Sequence, residues 1–150
     1  MSEINISLIA ENQNLSKFKI AENFTCIRFL DHNKERIELE FNLEKGTSFN
    51  TFLIRNNEEH FIIHPPEKQY LNPFNKIISN FFNQYKIKNI NVISGHINPK
   101  IIETIKDVNK QFKDLTITCS TPGFKLISEL WNQRNPTLEN FIELNYLKLT

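Results

Sequence analysis

Cysteine and glycine are scarce in these 150 residues, with two of the former and three of the latter. Cys26 and Cys119 lie far apart in sequence, so they make neither a disulfide framework nor a CxxC metal pattern, and both read as reduced thiols. Three glycines leave no room for a phosphate-binding loop, and GxGxxG, GxxxxGK[ST] and GxSxG are all missing. Charge of one sign is missing too: 18 Lys and Arg stand against 17 Asp and Glu, for a net charge of +1. That balance offers no basic patch for nucleic acid and no acidic tail for a basic partner. No apolar run is long enough to span a bilayer, and Glu3 stands where a signal peptide would need a cation, so the expected location is the cytoplasm.

What the chain does have is apolar mass, 39% hydrophobic residues with 13 Phe among them. A chain of this length buries roughly 70% of its unfolded surface, enough for one domain with a sizeable core. Residues 1–21 show neither a two-residue nor a 3.6-residue period and read as a loose lead-in, followed by one domain over 22–150. Residues 23–30 read as a strand, and Ile37, Leu39 and Phe41 alternate strictly within 36–41, predicting a half-buried strand antiparallel to the one before. Gly46 is placed for a turn with positive φ that returns the chain into a strand over 49–55. After the polar turn 56–59, a strand starts at His60 and runs to His64, where Pro65 and Pro66 stop it, with His60, Ile62 and His64 on one face.

From Asn72 the period lengthens. Phe74, Ile77, Ile78, Phe81 and Phe82 make one helical stripe, and Ile101, Ile102, Ile105, Val108 and Phe112 make a second. Strands at 90–96 and 115–119 alternate with these helices, a third helix spans 122–131 with Ser120 or Thr121 as cap, and 141–149 alternates as a final strand. Strand, helix, strand, helix, strand, helix implies parallel pairing and an α/β fold.

Parallel neighbours would carry His64, His96 and Cys119 to the carboxyl ends of three strands, where open α/β sheets place ligands. Imidazole and thiolate suit a zinc-like metal. The plainer reading is a capped histidine in a turn and a buried, inert thiol. Gly95 and His96 also precede a helix N-terminus, which attracts anions. No pair of acids has the spacing of an acid–base couple, and His32 and His60, in or beside polar turns, read as solvated.

Residues Arg36–Ile54, Phe61–Pro66, Val92–Pro99 and Thr118–Gly123 occur together in an order and spacing that resembles the flavodiiron proteins. The likeness covers roughly 22–133, the front half of that family's metallo-β-lactamase-like domain, and is strongest to the oxygenic-phototroph branch, in which Gly-His-Ile-Asn-Pro replaces the usual ligand motif. It implies a truncated metallo-β-lactamase-like αββα fold with a mixed sheet and helices. The family holds a diiron centre in this domain and FMN in a following flavodoxin-like domain, and reduces oxygen or nitric oxide with electrons drawn from a pyridine-nucleotide or ferredoxin pathway. Its ligand run His-x-Glu-x-Asp-His places His96 on the first histidine, but Asn98, Lys100 and Ile101 on the Glu, Asp and second His; His64 replaces the Asp before the two prolines.

The resemblance therefore implies a degenerate metal site. Lys100 sets a cation where the family has a carboxylate, in part substituting for the metal's charge, and no metal, FMN or flavodoxin domain is expected in this chain. The expected function is a non-catalytic, flavodiiron-like protein, inactive alone and serving as a binding subunit of a larger relative. The alternative is a part of a flavodiiron-type oxidoreductase in the electron-transport class, reducing oxygen to water with NAD(P)H electrons beside a partner chain. Half of a two-sheet fold would expose an apolar inner face, which implies self-association or a full-length flavodiiron-like partner.

Overall fold

The fold is that of a computed structural model, which describes residues 7–12, 14–32, 36–37, 41–42, 46–82, 89–112, 114–132 and 141–143. Its strands are β1 (Ser7–Asn12), β2 (Leu15–Ala21), β3 (Phe24–Asp31), β4 (Arg36–Ile37), β5 (Phe41–Asn42), β6 (Thr47–Arg55), β7 (His60–Ile63), β8 (Asn89–Ser94), β9 (Asp114–Cys119) and β10 (Phe141–Glu143). Its helices are α1 (Leu71–Phe82), α2 (Pro99–Gln111) and α3 (Thr121–Asn132), with a 3-10 turn over Lys68–Tyr70 leading into the first. Eight strands form one mixed sheet in the order β1-β2-β3-β6-β7-β8-β9-β10. In that order β1, β2, β3, β6 and β7 are antiparallel neighbours, and the helical crossovers make β7, β8, β9 and β10 parallel, as the strand–helix alternation predicts.

The two faces of the sheet differ. Register places Ile27, Phe29, Leu53, Ile62, Val92 and Ile117 on one face, and all belong to a single buried cluster with the predicted stripe of α2, with Phe74, Ile78, Phe81 and Phe82 of the α1 stripe, against which the half-buried Ile77 packs, and with Ile127 and Trp131 of α3. Every strand residue in that cluster lies on this face. On the second face, two rows cross six strands: Ala21, Phe24, Ile54, Phe61, Asn91 and Thr116 in one, and Phe18, Cys26, Phe52, Ile63, Ile93 and Thr118 in the other. The large apolar side chains of these rows are half-buried and pack on one another, as Phe24 does on Phe52 at 5.9 Å between ring centroids, but not on the core cluster.

Gly46 adopts φ +76°, and a Cβ there would stand 2.1 Å from the Asp31 carbonyl oxygen, so only glycine lets β6 start directly against the end of β3. This close return accounts for one correction. Arg36–Ile37 does not pair with β3 but with Phe41–Asn42 in a separate ribbon, and β3 takes β6 as its partner over its whole length. Residues 38–40 lie outside the described ones. The lead-in expected over 1–21 is a second correction, because residues 7–12 and 15–21 form the hairpin β1–β2 that extends the sheet. Register shifts between Leu8 and Ala10 and between Lys19 and Ala21 break the two-residue period, which is why alternation fails there. Of the final strand predicted over 141–149, Phe141–Glu143 pairs parallel with β9, and 144–149 lie outside the described residues.

His60 is a third correction. It opens β7 on the helix-covered face, only 5% exposed, with its ring edge-on to Phe82 at 5.6 Å. Burial, and then the Arg55 charge, lower its pKa from the usual 6.5. His32, by contrast, is exposed as read from its turn. Cys26 and Cys119 are both buried free thiols with pKa raised by burial. Register sets them on opposite faces of the sheet, so no disulfide joins them.

Candidate functional site

Strands β7, β8 and β9 end at one edge of the sheet. His64 follows β7 with φ +53°, a left-handed backbone that turns its side chain out of the strand's alternation and into solvent. Its backbone is tied down at both ends: its N–H donates to the Ile93 carbonyl at 2.8 Å, and its carbonyl accepts from the Thr51 hydroxyl at 2.6 Å. The Gly95 N–H points at His64 Nδ1 across 3.5 Å, and a Cβ on Gly95 would meet the His64 ring at 3.1 Å, so glycine serves close approach there. Ser94 donates to the His96 carbonyl at 2.6 Å, closing the turn and leaving the His96 ring exposed.

Cys119 stays apart from both rings. It lies opposite Ser94 on the helix-covered face at 1% exposure, inside the core cluster. The structure thus brings His64 beside the Gly95–His96 turn and does not bring Cys119 to them. Among the described residues, no group of three or more His, Cys, Asp or Glu side chains is placed to hold a metal ion.

The edge is organised instead around Glu67, a residue that sequence reading missed. Glu67 follows the two prolines, is 7% exposed, and accepts from Asn98 Nδ2 at 3.3 Å on one carboxylate oxygen, while Lys100 Nζ stands 3.6 Å from the other. Asn98 has a second task. It is the N-cap of α2, with extended backbone, and its Oδ1 accepts from the Ile101 N–H at 2.9 Å while Pro99 fills the first helical position. One amide therefore joins the connector after β7 to the start of α2. Lys100 keeps 63% of its side chain exposed, so its ion pair is screened by solvent and contributes less than the Asn98 bond. Ile101 packs in the core at 8% exposure.

Beyond the 3-10 turn, the edge continues into an open cleft of about 740 Å³ lined by Asp31, His32, Gln69 and Tyr70. Tyr70 packs on Phe29 at 4.8 Å, and its hydroxyl is pushed up to about 12 by burial and by the adjoining Asp31 carboxylate.

No family model matches the chain. Diflavin flavoprotein A 6 of Nostoc sp. is 33% identical over 108 residues, which are 69% of this chain and 18% of that protein. The chain is a homologue of the flavodiiron proteins. The fold agrees: a crystal structure of diflavin flavoprotein A 5 (fragment 1–254) from Nostoc sp. superposes with TM-score 0.71 at 24% identity, over 90% of this chain and 51% of that one. The Flv1 flavodiiron core from Synechocystis superposes with TM-score 0.72 at 21% identity, over 87% of this chain and 32% of that one. The fold is therefore part of a metallo-β-lactamase-like α/β architecture, as the resemblance implies. The chain spans about a fifth of the length of the curated relatives it matches.

Family likeness makes a pair of irons the group to fit at this edge. The side chains at the three positions where the resemblance implies ligands do not fit it: Asn98 is an amide committed to a helix cap, Lys100 an ammonium on a buried carboxylate and Ile101 a core isoleucine. None of the three offers the anionic or imidazole donor that a dicationic pair needs.

Proposed function

We propose that the chain is a non-catalytic flavodiiron-like protein that acts as a binding subunit, in which a carboxylate–amide–ammonium clip takes the place of the metal ligands. The observation that supports this reading is the joint engagement of Asn98 and Lys100, at two substituted ligand positions, by the buried Glu67. A positive charge on Lys100 neutralises a carboxylate that a metal would otherwise neutralise, so the edge is electrostatically complete without iron. Cofactors are absent from this reading, a full-length relative is one candidate partner, and the setting is cytoplasmic. Among the described residues, no helix is long and apolar enough to cross a membrane.

Elemental analysis of protein produced in iron-rich medium tests it, together with oxygen consumption in the presence of NAD(P)H and FMN. The expected result is iron far below stoichiometric and no oxygen uptake. Stoichiometric iron, or uptake by the chain alone, overturns the reading. The second reading, a part of a flavodiiron-type oxygen-reducing oxidoreductase completed by a partner chain, is favoured by the homology along 69% of this chain. Its mark would be oxygen uptake that appears only when an FMN-bearing relative is added.

A further inference from the structure

We infer that the cleft between the end of β3 and the 3-10 turn is a binding site for a primary ammonium group on a short carbon chain, with the Asp31 carboxylate as its counter-ion. The inference is separate from the functional reading, since none of the substituted ligand positions lines the cleft. Thr47, opposite Asp31 in the sheet, lies four residues before Thr51, whose hydroxyl holds the His64 carbonyl. That rise sets the cleft about 13 Å along the strands from the His64 turn.

The cleft is built around one carboxylate. Asp31 follows Phe29 by two residues on the helix-covered face, and Tyr70 packs on Phe29 at 4.8 Å, so the Tyr70 hydroxyl reaches the Asp31 side chain and is hydrogen-bonded to it, and to Gln69 as well. Tyr70 is only 8% exposed, which fixes the hydroxyl that orients the carboxylate. On the far wall, the Leu30 N–H donates to the Asn14 carbonyl at 2.9 Å and holds the β1–β2 turn against β3. Asn14, Leu30, His32, Gln69 and Pro73 complete the lining of the space of about 740 Å³.

Charge and donor count select the ligand. Among the described residues that line the cleft, Asp31 is the one carboxylate and none is Lys or Arg; Lys68, which is exposed, precedes Gln69 without joining the lining. The potential at the Tyr70 hydroxyl is accordingly negative: after burial, the larger cause, the charges of Asp31 and Glu67 hold its pKa up to about 12. Such a field draws in a cation. A divalent metal does not fit, because among the described residues no group of three His, Cys, Asp or Glu is placed to hold one. A guanidinium binds best side-on to both oxygens of a carboxylate, and the Tyr70 hydroxyl competes for one of them. An ammonium is a point charge with three donors, which match the Asp31 carboxylate and the side-chain carbonyl oxygens of Asn14 and Gln69, while Leu30 and Pro73 give its carbon chain apolar surface. A free alkylamine and a lysine side chain share this chemistry.

Titration of the full chain with pentylammonium at neutral pH, followed by backbone amide NMR shifts, tests this. Saturable, millimolar binding with the largest shifts at Asp31, His32, Gln69 and Tyr70 is expected, and pentan-1-ol, the neutral isostere, binds at least about tenfold more weakly. Asp31→Asn weakens ammonium binding by about tenfold and Tyr70→Phe by about threefold, with circular dichroism to confirm folding of each variant. Should a variant fail to fold, the ratio of ammonium to alcohol affinity on the unaltered chain decides alone. A blocked glycine–lysine–glycine peptide separates the two sources: bound as tightly as pentylammonium it marks a lysine side chain as the occupant, and bound about tenfold more weakly it marks a free alkylamine. No saturable shift, equal binding of the alcohol, or full affinity in a folded Asp31→Asn variant overturns the inference and leaves the functional reading untouched.

Discussion

Asn98 is the point at which the clip can be taken apart by one side chain at a time. Its Oδ1 caps α2, a bond whose loss costs about 1 kcal/mol, and its Nδ2 serves a carboxylate that is 7% exposed. A hydrogen bond to a charged acceptor is worth about 1.5 to 3 kcal/mol, and the 3.3 Å length with Lys100 still in place puts this one at the low end, about 1.5. Asn98→Ser keeps an oxygen for the cap and loses the amide donor, so it is expected to destabilise by about 1.5 kcal/mol; Asn98→Ala loses both and is expected to destabilise by about 2.5. Lys100→Met, removing a mostly exposed partner, stays under about 1 kcal/mol. Urea unfolding followed by circular dichroism reads these as midpoint shifts at constant slope, and for a chain of this size the alanine variant melts about 5 to 10 °C lower. A double-mutant cycle with Glu67→Gln assigns the amide term to that carboxylate if the coupling exceeds about 0.5 kcal/mol. Asn98→Ser as stable as the unaltered protein would refute the reasoning, because the amide would then be only a cap.

His60 and Tyr70 add two pH signatures. With its folded pKa lowered below 6.5, His60 contributes stability that is complete above that value and falls as pH drops below it, since the unfolded chain takes up the proton first. Unfolding midpoints between pH 7 and 5 should therefore decline more steeply in the unaltered protein than in His60→Leu, by up to about 1.4 kcal/mol per pH unit, and equal slopes would show the ring to be solvated. Tyr70, raised from 10 to about 12, keeps its proton in the folded state while the unfolded chain releases it, so stability is intact below pH 10 and is lost as pH rises through about 12. Ultraviolet titration should show a late phenolate step that vanishes in Tyr70→Phe and moves down in Asp31→Asn; a late step that survives Tyr70→Phe would place it on another tyrosine.

The parallel half of the sheet was legible because its signals are local. The stripe at Phe74, Ile78, Phe81 and Phe82 requires nothing but the helical period, and the buried positions of α1 fall on it. The positive φ of Gly46 was equally legible, since an isolated glycine between polar residues marks a return. Elsewhere two strands deceived for different reasons. The hairpin β1–β2 carries bulges that cancel the alternation by which strands are recognised, whereas 36–41 alternates well and yet its described ends, Arg36–Ile37 and Phe41–Asn42, pair with each other and not with β3. Alternation reports that one face is suited to burial, and says nothing of which strand supplies the hydrogen bonds.

The strand-end edge was legible in position, and Glu67 shows why its side-chain contacts were not. His64, His96 and Cys119 attract attention because their side chains do chemistry anywhere, and the topology does carry two of them to one edge. Whether they work together depends on which way each strand ends. Cys119 is still in register when β9 stops, so it stays on the helix-covered face, whereas His64 has already left the ladder through a left-handed turn. Glu67, an acid after two prolines, belongs to no motif that a sequence reading singles out. Its role comes from burial to 7%, which obliges a carboxylate to find partners, and the partners within reach are Asn98 and Lys100, the residues noticed only for the ligands they replace. Asn98 and Lys100, at two positions where the resemblance implies metal donors, supply a hydrogen-bond donor and a counter-ion to a neighbour 31 residues earlier than Asn98. On the proposed reading such an exchange keeps the electrostatic balance of the edge, and the buried partner acid is the feature that points to it.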